Sequence, residues 1–265
     1  MISSTLIPLR NSTSLLLKVQ KIQERRNRVP FVAIVIPPTF SSAIAGSNSG
    51  ALWDLDRQCL ESVRETCYRY YPQDSQVRPL IYHGDAWMTK IADVGLIHSQ
   101  LNFLSALIVD TEIIGDNIQT NLSIWKKDSR DYRQYPAISL SLNSIVSDWD
   151  NSNKYIANGY SEQNFFDSIA NGVAGCYSAI TALLADYYYW SRSEVPPQLP
   201  SIFPEILNNI ELRSISLSLV DWVFDSYEHL YHMPFSIFSK EELLARIVQS
   251  QNRSRSTDKG HLKVA

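Results

Sequence analysis

Asp110 and Glu112 stand two residues apart in Val109-Asp110-Thr111-Glu112-Ile113. The alternation of a β-strand puts both on one face, near the strand's C-terminal end. Asp85 closes another apolar run, Pro79-Leu80-Ile81-Tyr82-His83-Gly84, and lies beside them if the two strands are neighbours. Carboxylates gathered at strand ends hold a divalent cation or act as an acid–base pair. Nuclease sites built on such acids also want a lysine two residues on, and position 114 is Ile. The plainer reading is a polar stripe on an edge or a solvent-facing side. A second candidate is the loop Ala45-Gly46-Ser47-Asn48-Ser49-Gly50, between an apolar run and a helical pattern. Backbone amides at such a place can cradle an anion. The residue after Gly50 is Ala51, so the loop lacks the lysine of a P-loop, and the three glycines of a dinucleotide fingerprint are absent. Gly46, Ser47, Ser49, Gly50, Asp85, Asp110 and Glu112 are the candidate ligand-binding residues.

Other reactive side chains form no constellation. His229 and His232 are three apart, not the H-E-x-x-H of a zinc protease, and neither long helical pattern carries Glu-x-x-His. His83 is a lone strand-end histidine. Cys59, Cys67 and Cys176 fall on apolar helical faces, where a thiol packs as a small hydrophobe. G-x-S-x-G is missing. No catalytic residue, metal site or cofactor is therefore expected.

The elements that must position these residues follow from periodicity. Phe31 to Ile36 is an uninterrupted apolar run bounded by prolines, a strand buried on both faces. Leu52, Leu55, Cys59, Val63, Cys67 and Tyr70 mark a helix that Pro72 stops. After the Pro79–His83 strand, Ile91, Val94, Ile97, Leu101 and Leu104 mark another helix. Ala106 to Ile113 and Ile118 to Trp125 alternate around Gly115-Asp116-Asn117, which predicts a hairpin. Ile138, Leu140 and Leu142 begin either a last strand or a helix. Phe166, Ile169, Val173, Cys176, Ile180, Leu183, Tyr187 and Trp190 form a sustained helical stripe, with Ala174, Gly175, Ser178, Ala179 and Ala182 allowing close approach. Pro196, Pro197, Pro200 and Pro204 predict a stiff connector. Leu212 to Leu230 marks a further helix, and Ser239-Lys240-Glu241-Glu242 a capping box before Leu243.

The expected fold is α/β or α+β. A small, mostly parallel sheet with a hairpin fills the N-terminal half, and a helical unit follows. The expected boundaries are a basic amphipathic lead-in at 1–28, an α/β unit at 29–150, a helical unit at 151–250 and a disordered basic tail at 251–265. The stripe of the long helix also suits a position across the sheet in one body, and a homo-oligomer.

Composition narrows the function classes. The chain has 265 residues, 45% hydrophobic and 19% charged, enough for a sizeable core. Three cysteines exclude a disulfide scaffold. A net charge of −3 opposes a large nucleic-acid or membrane-surface contact, although Lys18–Arg28 and Arg246–Lys263 are locally basic. No apolar run reaches the roughly 18 residues of a membrane span, and Leu15-Leu16-Leu17 is too short for a signal peptide, so a cytoplasmic location is expected. Tyr187-Tyr188-Tyr189-Trp190, with Trp222, Tyr227 and Tyr231 on the next helix, makes the helical part aromatic-rich. Tyr188 and Tyr189 project away from the stripe; with Tyr231 on the next helix they are candidate partner-binding residues, since tyrosines anchor interfaces.

Three stretches carry a resemblance: Ser105–Asn117 with Trp125, Cys176–Tyr187, and Val195-Pro196-Pro197-Gln198-Leu199-Pro200. In this order they resemble an uncharacterised α/β-plus-helical module of large multidomain bacterial proteins. The short α/β part is also similar in topology to small domains of bacterial envelope assembly proteins. The resemblance implies a shared fold and a regulatory or interaction role, and transfers no active-site residue. The expected function is a non-enzymatic adaptor or accessory subunit that binds a protein partner through its aromatic-rich helical part. The alternative is an α/β protein that binds a small anionic ligand or nucleotide, as a hydrolase would.

Overall fold

The computed structural model describes residues 31–36, 61–66, 68–69, 80–83, 91–114, 116–153, 162–190 and 197–231. Its strands are β1 (Phe31–Val35), β2 (Leu80–His83), β3 (Ser105–Ile114), β4 (Asn117–Trp125) and β5 (Arg133–Ser141). Its helices are α1 (Ile91–Leu101), α2 (Leu142–Asn153), α3 (Glu162–Trp190), α4 (Leu199–Asn208) and α5 (Arg213–Tyr231). The helical pattern before β2 is present at 61–66 and 68–69. The lead-in, the Gly46–Gly50 loop, Asp85, the capping box and the basic tail lie outside the described residues.

The strands form one sheet in the order β2-β1-β3-β4-β5. β1 pairs in parallel with β2 and β3, whereas β3–β4 and β4–β5 are antiparallel. The sheet is thus mixed, not mostly parallel as expected. The reason is connection length. Parallel neighbours need a crossover, which the 36–80 and 83–105 stretches are long enough to make. Ile114 pairs with Asn117, which leaves two residues for the β3–β4 turn, and only an antiparallel partner is reachable that way. At the β4–β5 turn, Asp128 takes a positive φ of 60°, which a short acidic side chain tolerates. β5 then passes directly into α2, so the Ile138–Leu142 alternation holds both a strand and a helix start.

Alternation sorts the sheet into two faces. Ala33, Val35, Leu107, Val109, Ile118, Leu122, Ile138 and Leu140 join the core with α3, α4 and α5. Ile34, Ile36, Ala106, Ile108 and Trp125 join a second core with Val94, Ile97 and Leu101 of α1. Val63 packs in the first core, so the described parts of the two crossovers lie on opposite faces. Right-handed connections require this when the chain steps from β1 to β2 and back past β1 to β3.

α3 is buried nearly all round because the sheet flanks it on one side and α4 and α5 on the other. Its small residues make that possible. A Cβ on Gly172 would come within 2.5 Å of Ile215 Cδ1, and one on Gly175 within 2.7 Å of Ile210 Cδ1. The proline-rich stretch is not a mere connector, as expected, but holds α4. Pro200 sits in the first turn, where its missing N–H is no loss. Asp186 of α3 accepts hydrogen bonds from the Gln198 and Leu199 amides at 2.7 and 2.6 Å, supplying the cap that Gln198 does not. Burial of Leu199, Ile202, Phe203, Ile206 and Leu207 then holds the helix despite Pro204 in its interior.

Residues Asp167–Tyr188 of α3 are long and apolar enough, by length and composition, to cross a membrane, although no such segment was expected. The reason is that isolated Ser, Thr and Asn residues interrupt the run but lower its mean hydropathy too little to disqualify the segment. In this fold the segment is almost wholly buried.

Candidate strand-end polar site

The face of β3 that α1 covers is apolar at Ala106 and Ile108 and changes abruptly at Asp110. The antiparallel register sets Asn121 opposite Asp110 and Gln119 opposite Glu112. Side chains paired across two strands share a face, so four polar residues form a two-by-two patch. Gln119 Nε2 donates to Asn121 Oδ1 at 2.9 Å, and Asn121 Nδ2 donates to Glu112 Oε1 at 2.9 Å. The patch is partly sunk: Asp110 is 4% exposed and Asn121 8%, while Glu112 and Gln119 are half-buried.

Burial, aided by the negative charge of Glu112, raises the Asp110 carboxyl to about 7, against the hydrogen bond from Asn121, which lowers it. Near neutral pH the Asp110 carboxyl is therefore about half protonated. Such a group can donate or accept a hydrogen bond, and it favours a cationic or donor-bearing neighbour. Asp110 also adjoins the end of β1, since the Ile36 amide donates to the Val109 carbonyl at 2.9 Å. The crevice between β1 and β3, where the crossovers diverge, is where open α/β sheets place ligands.

On the opposite face of the same rungs runs a buried hydroxyl chain. Tyr177 Oη on α3 lies 2.9 Å from the Ile36 carbonyl and 2.8 Å from Thr111 Oγ1, and Thr111 Oγ1 lies 3.0 Å from Thr120 Oγ1.

Asp110 and Glu112 are thus placed on one face near the end of their strand, and the exposed-edge reading fails for Asp110. Asp85, Gly46, Ser47, Ser49 and Gly50 lie outside the described residues, so their proximity to this patch is not described. Tyr188 is half-buried and packs against the main core; Tyr189 and Tyr231 belong to α3 and α5, with side chains outside the described set. Among the described residues, no three His, Cys, Asp or Glu side chains gather as a metal site. Cys176 is buried and burial pushes its thiol up to about 12. Sequence reasoning missed Gln119, Asn121 and the hydroxyl chain. Comparison with family models, with curated proteins and with solved structures finds no match for this chain.

Proposed function

We propose that this protein works by binding, as a regulatory or accessory protein whose α/β part recognises a small donor-bearing ligand at the ends of β1 and β3. The observation that carries this reading is the sunken Asp110 carboxyl beside Glu112, joined through Asn121 to Gln119. A two-carboxyl, two-amide surface offers acceptors to amines, guanidines or hydroxyl groups. It repels an anion, so the anionic-ligand form of the reading would need amides from Gly46–Gly50 to outweigh the two acids. No cofactor is required by this reading, and a cytoplasmic location fits it.

A thermal-shift screen against amines, guanidines, polyols, nucleotides, phosphometabolites and divalent metals tests the reading. A ligand at a hundred times its dissociation constant adds about 2.7 kcal/mol to stability. A donor-rich compound should raise the melting temperature, and Asp110→Asn with Glu112→Gln should abolish the rise while the protein still folds. A flat screen refutes small-ligand recognition.

A protein partner at the helical layer is the second reading. Half-buried Tyr188, Trp149, Phe165 and Trp222 favour it, as does Val146, which is 44% exposed three residues before Trp149. The regulatory role implied by the bacterial module's resemblance is of the same kind. Size-exclusion chromatography with light scattering separates a homo-oligomer from a monomer, and pull-down from a bacterial lysate tests for a stable partner. A monomer that captures nothing removes this reading.

A further inference from the structure

The hydroxyl chain and the polar patch occupy the same rungs of the sheet on opposite faces. Thr111 lies between Asp110 and Glu112, and Thr120 between Gln119 and Asn121. Tyr177 is among the largest fully buried side chains, and its hydroxyl meets the Ile36 carbonyl and the Thr111 hydroxyl. With one proton to give, the phenol donates to the Ile36 carbonyl and accepts from Thr111, which in turn accepts from Thr120. Every hydroxyl then has a partner. A polar chain in the core stabilises less than apolar packing of equal volume, but it fixes one geometry.

What it fixes is the end of β1. The Ile36 carbonyl is held from the α3 side, and the Ile36 amide is held by the Val109 carbonyl. The Ile36 side chain is fully buried on the other face, in the same core as Ile108; Ile36 follows Val35 and Asp110 follows Val109, the last β1–β3 pair. Continuing that register sets Ile36 beside Asp110 on the β1 side, as Asn121 is set opposite it on the β4 side. Glu112 is the described charged group nearest Asp110 on β3. The described β4 residues nearest Asp110 on this face, Gln119, Asn121 and Ser123, are uncharged. On α1, His98 is the described titratable residue on this face, and it lies against Trp125 at the opposite end, with ring centroids 5.2 Å apart.

We propose that Tyr177 is a positioning residue: through the Ile36 carbonyl and Thr111 it holds the end of β1 against Asp110, so that helix α3 on one face of the sheet sets the polar site on the other. The proposal rests on reading the strand ends as the site, but its test needs no ligand. Carboxyl-carbon NMR follows the titration of Asp110 in the full chain, and amide resonances follow Asn121 and Gln119. In Tyr177→Phe, the loosened end of β1 admits water, and the Asp110 midpoint should fall by roughly one pH unit toward the ordinary carboxylate value. Ile180→Val, which trims the same helix without touching the chain, should leave the midpoint unmoved. Thr111→Val should repeat the fall and Thr111→Ser should restore the original midpoint, which keeps the test decisive if Tyr177→Phe does not fold. An unmoved Asp110 midpoint in Tyr177→Phe, or in Thr111→Val where the first variant does not fold, overturns the proposal. A moved midpoint together with a flat ligand screen upholds the coupling and removes only the recognition reading.

Discussion

The raised Asp110 carboxyl makes stability depend on pH in a direction opposite to that of a salt-bridged acid. The folded state holds the proton until about pH 7, whereas the unfolded chain releases it near 3.8. The folded state therefore binds more protons across that interval. Stability from this group is fully present below pH 3.8 and is lost as pH rises through 7. Integrating the two titrations from pH 5 to pH 8 gives a loss of roughly 2.6 kcal/mol. Asp110→Asn removes the titration while keeping nearly the same shape. Urea melts of both proteins at pH 5, 6, 7 and 8 measure the effect. The variant should gain on the wild type by about 2–3 kcal/mol between pH 5 and pH 8, almost all of it by pH 7.5. Glu112→Gln should move the wild-type decline to lower pH by relieving the like-charge repulsion. Parallel stability profiles for wild type and Asp110→Asn would show that the carboxyl is not desolvated in the folded state, and would remove the physical basis of the proposed site.

Three further outcomes follow from the packing. Gly175→Ala forces its new methyl against Ile210 and should cost about 1–3 kcal/mol in a denaturant melt; an unchanged midpoint would mean that α3 and the segment after α4 are not in close contact. Asp186→Ala leaves the Gln198 and Leu199 amides without their acceptor and should cost about 1–3 kcal/mol, with faster hydrogen exchange across α4; exchange unchanged there would refute the cap. Cys176, buried with its thiol pushed up to about 12, should react with a disulfide reagent only as fast as the protein unfolds. Rapid labelling of Cys176 in the native protein would contradict its placement.

Much of this was legible in the chain itself. The Ala106–Trp125 alternation predicted a hairpin, and β3 and β4 meet there. The 166–190 stripe predicts one long helix, and α3 runs from Glu162 to Trp190. The mixed character of the sheet was present in the same hairpin, because a two-residue turn forbids parallel pairing. The register it implies also sets Asn121 opposite Asp110, so half of the polar patch could have been found by counting outward from the turn. α4 is hidden because its prolines predict a stiff connector, whereas its stability comes from burial and from an aspartate on another helix. The Tyr177–Ile36 contact joins residues 141 positions apart, and no local pattern encodes it. Nothing short of the tertiary fold reveals that the acid at position 110 is walled in while the one at 112 is half open.

The completeness with which α3 is enclosed has a consequence for how the chain is made. Its sheet-side neighbours precede it from the ribosome, but α5, which shields its other flank, is finished only about forty residues later. At typical synthesis rates that is an interval of roughly 2–8 s. During those seconds a segment as apolar as a membrane span stands half uncovered in the cell. A nascent chain stalled before α5 should therefore be a client of holding chaperones and of the insertion machinery, and termination within α5 should yield aggregates rather than a smaller folded protein.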